Sequence, residues 1–156
     1  MGQRSAALAE DFERAMGDLE ATVEGCSDAQ WNVTVEEGWT VGVAAQHIVG
    51  QFPLEFEFLT PISEGKALPG YSWDDINGKN DGRAAKNASA TRADVQKELK
   101  EGAASVSAYL RKLNDEQLDR KGALALAGGA EVSTEQLILG GVLIEPKGGP
   151  RSDTQF

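Results

Sequence analysis

From Val95 onward, apolar or small residues return at every third or fourth position: Val95, Leu99, Gly102, Ala103, Val106, Leu110 and Leu113. That spacing fits one face of an α-helix and no face of a strand, so residues 91–113 must bury one side against other helices. Thr91 and Asp94 stand at capping-box spacing and mark the start. The same signature recurs along the chain. Residues 3–25 place Leu8, Phe12, Ala15, Met16, Leu19 and Val23 on one stripe, and Gly25 supplies a stop. Residues 40–64 place Val41, Ala44, Ile48, Phe52, Phe56 and Leu59 together. Pro53 interrupts that second pattern. Its ring lacks an amide hydrogen and clashes one turn back, which predicts a kink near 49–53, and Pro61 with Gly65 should end the helix. Ser133 and Gln136 form another capping box, with Val132 and Leu137 spaced as a hydrophobic staple. The run that follows is almost wholly apolar, which predicts a deeply buried last helix stopping at Glu145, before Pro146.

Four amphipathic helices predict an all-α fold, a single four-helix bundle over residues 1–145. Residues 146–156 are rich in Pro and Gly and read as a loose tail. The connection 65–90, between helices two and three, is long enough to cross the bundle. Within it, Pro69-Gly70 marks a turn and Ser72–Asp75 has capping spacing for a short helix that Gly78 and Gly82 weaken. Connector 26–39 carries Trp31 and Trp39, which read as packing residues, as does Trp73. In 114–131, Leu124 and Leu126 alternate and suggest a short extended segment before Gly128-Gly129. A chain of 156 residues buries roughly 70% of its unfolded surface, enough to fold without a structural metal or disulfide. The lone Cys26 excludes an internal disulfide, and it has no basic neighbour to activate it.

Charge narrows the partners. There are 15 basic and 25 acidic residues, a net charge of -10. Such a surface repels phosphate backbones and anionic lipid, which argues against nucleic-acid and membrane binding; the expected partner is a small-molecule substrate or ligand. The opening residues hold no apolar run of signal-peptide length, and no stretch reaches the roughly 18 apolar residues of a membrane span. The expectation is a cytoplasmic protein. His47 is the only histidine. It lies three residues after Ala44, at the border of the second helix's apolar stripe. Paired acidic residues Glu36-Glu37 and Asp74-Asp75 read as solvated loop charges, and no phosphate loop or nucleophile elbow is present.

The segment 38–48, GWTVGVAAQHI, resembles the second-helix motif of the DinB/YfiT-like superfamily, in which a Trp precedes Ser or Thr and a His follows eight residues after the Trp. Trp39, Thr40 and His47 fit that spacing. The segments 113–119, 125–129 and 132–138 resemble later landmarks of bacterial members, so the resemblance covers roughly residues 5–150. It implies a four-helix bundle that holds one divalent metal (Zn, Ni, Mn or Fe) through the helix-two His, here His47, and two further ligands from His-x-x-x-His on the last helix. Residues four apart share a helix face, so both side chains can meet one ion. A third imidazole from a facing helix leaves positions open for water or a thiolate. Members with that site are metal-dependent hydrolases or thiol-dependent transferases and isomerases, and they often pair as homodimers, to which the apolar last helix would contribute.

This chain departs from the pattern at the site itself. The two last-helix ligand positions fall at 146 and 150, and both are proline. Proline has no side-chain donor atom, and Pro146 also breaks the helix meant to carry the site. The family's last helix runs several turns further than this sequence. Three readings follow. The metal is lost and the bundle is kept for binding a small apolar molecule or a protein. Or a replacement site uses Glu145, Gln51 or Glu55, although Glu145 is about 100° away from position 146 around an ideal helix. Or the Pro/Gly-rich tail is the product of a shifted reading frame, since His and Pro codons differ by one base.

Overall fold

The computed structural model describes residues 2–34, 40–86 and 91–142. Helix α1 (Gln3–Gly25) is followed by the single turn α2 (Asp28–Trp31). Helix two is divided into α3 (Val41–Gly50) and α4 (Phe52–Ser63). Then come α5 (Trp73–Lys86), α6 (Arg92–Lys112) and the short α7 (Asp115–Asp119). Strands β1 (Lys121–Leu124) and β2 (Ala130–Ser133) form an antiparallel hairpin that leads into α8 (Thr134–Leu137) and a π-helical turn, Ile138–Val142. The fold is an all-α four-helix bundle: α1 lies along α6, α3 packs on α6, and α4 meets α8 and the π turn. The expected end of the last helix at Glu145 and the tail lie outside the described residues, as do Trp39 and the Glu36-Glu37 pair.

The apolar stripes build one core. Phe12 of α1, Leu59 and Ile62 of α4, Leu99, Val106 and Leu110 of α6, Leu118 of α7 and Ile138 are all but wholly withdrawn from solvent. Last-helix burial is partial: Leu137 and Ile138 are buried, whereas Leu139 is 45% exposed. Trp31 is buried, and its indole lies so close to Gly42 that a Cβ there would stand 2.5 Å from Nε1. Trp73 donates its indole N–H to the Leu126 carbonyl at 3.0 Å. Half-buried Cys26 packs against the core.

The second helix breaks within the expected window. Gln51 keeps helical torsions (φ -73°, ψ -21°), but its N–H turns to the Ile48 carbonyl at 3.3 Å, a tighter bond than the α-helical one. Pro53 stands in the first turn of α4, where its missing donor costs nothing. Helix α4 then runs through Pro61 and ends at Ser63, and Gly65 follows at φ 74°. Two features hold its end. Tyr109 of α6 donates to the Leu59 carbonyl at 3.0 Å and shares a 2.6 Å hydrogen bond with the Ser63 hydroxyl. The Arg120 guanidinium donates to the Ser63 carbonyl.

The crossover differs from the sequence expectation. Helix α5 is 14 residues long and runs straight through Gly78 and Gly82. Each interior glycine costs about 1 kcal/mol relative to alanine, and the helix forms despite both. Its start is the expected one: Ser72 and Asp75 cap each other at 2.8 and 3.1 Å. Those bonds hold the Asp75 carboxyl below its usual range, a structural role rather than a chemical one. The 114–131 connection holds more order than the sequence suggested. Leu124 is buried in β1 as an extended residue, whereas Leu126 sits in a 3₁₀ turn, Ala125–Ala127. Gly128 (φ 67°) and Gly129 (φ 85°) close the hairpin with torsions that favour glycine. Arg4 ties α1 to this region through Asp119 at 2.8 Å and Glu135 at 3.2 Å.

Close packing of helix two on α6 depends on Gly102. A Cβ there would lie 2.2 Å from the Phe52 ring. Gly102→Ala raises helix propensity, yet it is expected to destabilise the fold by about 1–3 kcal/mol through overpacking. Thermal unfolding measures this, and a rise in Tm would contradict the packing described.

Candidate functional site

Thr40 caps α3 by accepting the Val43 amide at 3.1 Å, which starts the helix so that His47 falls in its last turn. His47 is half-buried. Its Nε2 lies 3.1 Å from the side-chain nitrogen of Gln51, one turn on. That same amide nitrogen donates to Asn80 Oδ1 of α5 at 3.3 Å. Gln51 therefore spends both amide hydrogens, one on each neighbour. With Nε2 accepting, the imidazole carries its proton on Nδ1. Asn80 Oδ1 also takes a 3.5 Å contact from Arg83 Nη1, one turn further along α5. A polar chain thus runs from His47 through Gln51 and Asn80 to Arg83.

Of the described residues that the family pattern or a replacement site would use, His47 and Gln51 meet. Glu55 continues the same line, four residues after Gln51, but among the described residues no hydrogen bond or ion pair reaches its carboxyl. Glu145, Pro146 and Pro150 lie outside the described residues. Among the described residues no three His, Cys, Asp or Glu side chains come together as a metal would need. A metal on His47 Nε2 would have to displace Gln51, and the two prolines carry no donor atom. Among the described residues, His47 Nε2 and Gln51 alone do not make a three-ligand donor set.

On the adjacent face of α3, helix two, α5 and α6 enclose an open groove of about 730 Å³. Sequence reasoning missed its central residue. Gln46 is only 5% exposed, and it sits three residues before buried Val49 on the inner stripe of α3. Its Nε2 makes a long, 3.5 Å contact with Glu98 of α6, and its Oε1 is buried with no hydrogen-bond partner among the described residues. A glutamine set in an apolar stripe was the available signal. Asn80 and Arg83 gave none, because their placement depends on where the crossover runs.

Burial also acts on Glu55. Loss of water pushes its carboxyl up to about 7 from an ordinary 4.5. The folded chain holds that proton where the unfolded chain has released it, so stability falls as pH climbs through the window from 4.5 to about 7. Glu55→Gln is expected to remove this slope, stabilising the fold by about 2 kcal/mol near pH 8.5 and by little near pH 4. Urea unfolding at the two pH values checks it, and an equal effect at both would show the carboxyl to be solvated.

Comparisons with known proteins agree with this architecture. Among curated proteins none matches the sequence significantly. A solved structure, that of YfiT from Bacillus subtilis, superposes with a TM-score of 0.64 at 19% identity, covering 92% of this chain and 79% of that one. YfiT is described as a probable metal-dependent hydrolase with an unusual four-helix bundle topology. At that identity the likeness shows the fold alone. The family model of the DinB superfamily matches residues 11–142, most of the chain. The chain belongs to the DinB superfamily.

Proposed function

We propose that this member of a superfamily of metal-dependent hydrolases and thiol-dependent transferases has lost the family's metal site and uses its bundle to bind a small molecule. The observation that carries the reading is at His47. Its Nε2, the nitrogen free to meet an ion when Nδ1 is protonated, is held by the Gln51 amide at 3.1 Å. Both partner positions are prolines. One imidazole alone binds a divalent ion weakly and without fixed geometry. The Gln51 amide is in turn held by Asn80, so freeing Nε2 breaks a second bond as well.

The competing reading keeps His47 as a ligand beside Glu55, whose half-buried carboxyl is available on the same helical line. In that reading an ion would activate a bound water or thiolate. The net charge of -10 favours neither, but it supports a ligand other than nucleic acid or anionic lipid. No helix among the described residues is long and apolar enough to cross a membrane.

Metal content separates the readings. Protein purified without a histidine tag, after supplementation with zinc, nickel, manganese and iron, is expected to hold far less than one ion per chain. His47→Ala should leave that content unchanged. Stoichiometric metal that disappears in His47→Ala would overturn the metal-free reading.

A further inference from the structure

Both ring nitrogens of His47 are shielded. Nδ1 is buried, and Nε2 is occupied by the Gln51 amide at 3.1 Å. Gln51 is in turn latched to Asn80 Oδ1 at 3.3 Å. A molecule that is to meet Nε2 must first move the Gln51 amide, and that amide is held by α5, which packs on α3.

Helix α5 is held very differently at its two ends. Its first turn is anchored. Ile76 is buried, the Trp73 indole donates to the Leu126 carbonyl at 3.0 Å, and Ser72 and Asp75 cap each other. Beyond Ile76 no residue of the helix is fully buried. Asn80, Arg83 and Ala84 are half-buried, and the rest of 77–86 is exposed. The contacts there are made by polar side chains: Asn80 meets Gln51, the Arg83 stem lies against Gly50, and Lys79 stands 4.9 Å from the centre of the Tyr71 ring. Apolar burial is the main force that holds a helix to a bundle, and this half has almost none. Its sequence, NGKNDGRAAK, is also too short for a free helix, since isolated helices below roughly 12 residues are marginal even when rich in alanine. Once its contacts with α3 break, the segment therefore unwinds. Gly78 and Gly82 promote that unwinding. At Gly102 a Cβ would strike the Phe52 ring, but at Gly78 and Gly82 it would meet no atom within 4 Å. These two glycines weaken the helix with no gain in packing.

We propose that residues 77–86 of α5 are a gate over His47. They open by local unwinding next to the fixed Trp73–Ile76 turn, which releases Asn80, frees the Gln51 amide and exposes Nε2. The gate goes beyond the metal-free reading and does not rest on it, because an ion or a small molecule would reach Nε2 through the same opening. Metal content decides that reading, and the accessibility of the imidazole decides this one.

The lone histidine makes the gate measurable. Diethyl pyrocarbonate acylates an accessible neutral imidazole, and mass spectrometry of the peptide that carries His47 gives the rate in the full chain. Trypsin supplies a second readout, since Arg83 lies within the gate and native-state cleavage there tracks its opening. Rates are taken relative to the urea-unfolded chain, with cleavage after Lys97 and Lys100 of α6 as the internal control. The double variant Gly78→Ala, Gly82→Ala favours the wound helix and is expected to slow both His47 acylation and cleavage after Arg83 by roughly tenfold or more. Asn80→Ser has similar helix propensity but loses the latch, and it is expected to speed both by about fivefold. Gly78→Ala alone serves if the double variant does not fold. A helix with a purely structural role would alter cleavage and leave His47 acylation unchanged, and that result would overturn the gate. So would acylation of His47 in the native chain as fast as in the unfolded one, or cleavage after Arg83 no faster than after Lys97 and Lys100.

Discussion

Pro53 has no amide hydrogen, and the arrangement around the site follows from that lack. A continuous helix would have asked residue 53 to donate to the Val49 carbonyl. Instead the chain closes α3 with a tight turn at Gln51 and restarts as α4, with the Glu55 amide reaching the Gln51 carbonyl at 2.9 Å. The joint puts Gln51 one turn below His47 and opposite Asn80 of the crossover helix. It also brings the Phe52 ring down onto Gly102. Helix two is therefore fixed to α6 twice, by Phe52 at the joint and by Tyr109 at the far end. Between those anchors Glu55 is half-buried, and its carboxyl is desolvated.

The bundle was legible because its helices are long enough to show three-and-four spacing, and because Thr91 and Ser133 announce their helices chemically. The short helices were not read. Four residues in α2 and five in α7 show no periodicity, although Ser27 with Gln30 and Asn114 with Gln117 carry the same capping signature. Local propensity misled at α5, where two glycines suggested weakness and the helix nonetheless runs on to Lys86. At the site, the spacing of Thr40 and His47 located the imidazole, and the four-residue step to Gln51 was visible in the sequence. What Gln51 does there was not visible. Its role depends on Asn80, which reaches it only through the crossover, a contact that spans 29 positions. Gln46 was hidden for the opposite reason, since a glutamine in an apolar stripe counts as a defect in the pattern until its surroundings are known.

Two neighbouring faces of α3 thus carry different chemistry. On the face with His47 a hydrogen-bonded chain runs from the imidazole through Gln51 to Asn80. On the face with Gln46 the Oε1 carbonyl oxygen is buried without a hydrogen-bond partner among the described residues. A folded protein retains unsatisfied buried groups at a cost in stability, and such groups concentrate where a ligand completes them.

Helix α5 joins those faces, and it is attached lightly. Ile76 is its one buried residue, and Trp73 fixes its first turn to the core. The rest of its length rests on side chains such as Asn80 and Arg83. Amide groups there should exchange with solvent hydrogen through small local openings, well before the α1–α6 pair releases its own. One wall of the groove is then stiff and the other compliant.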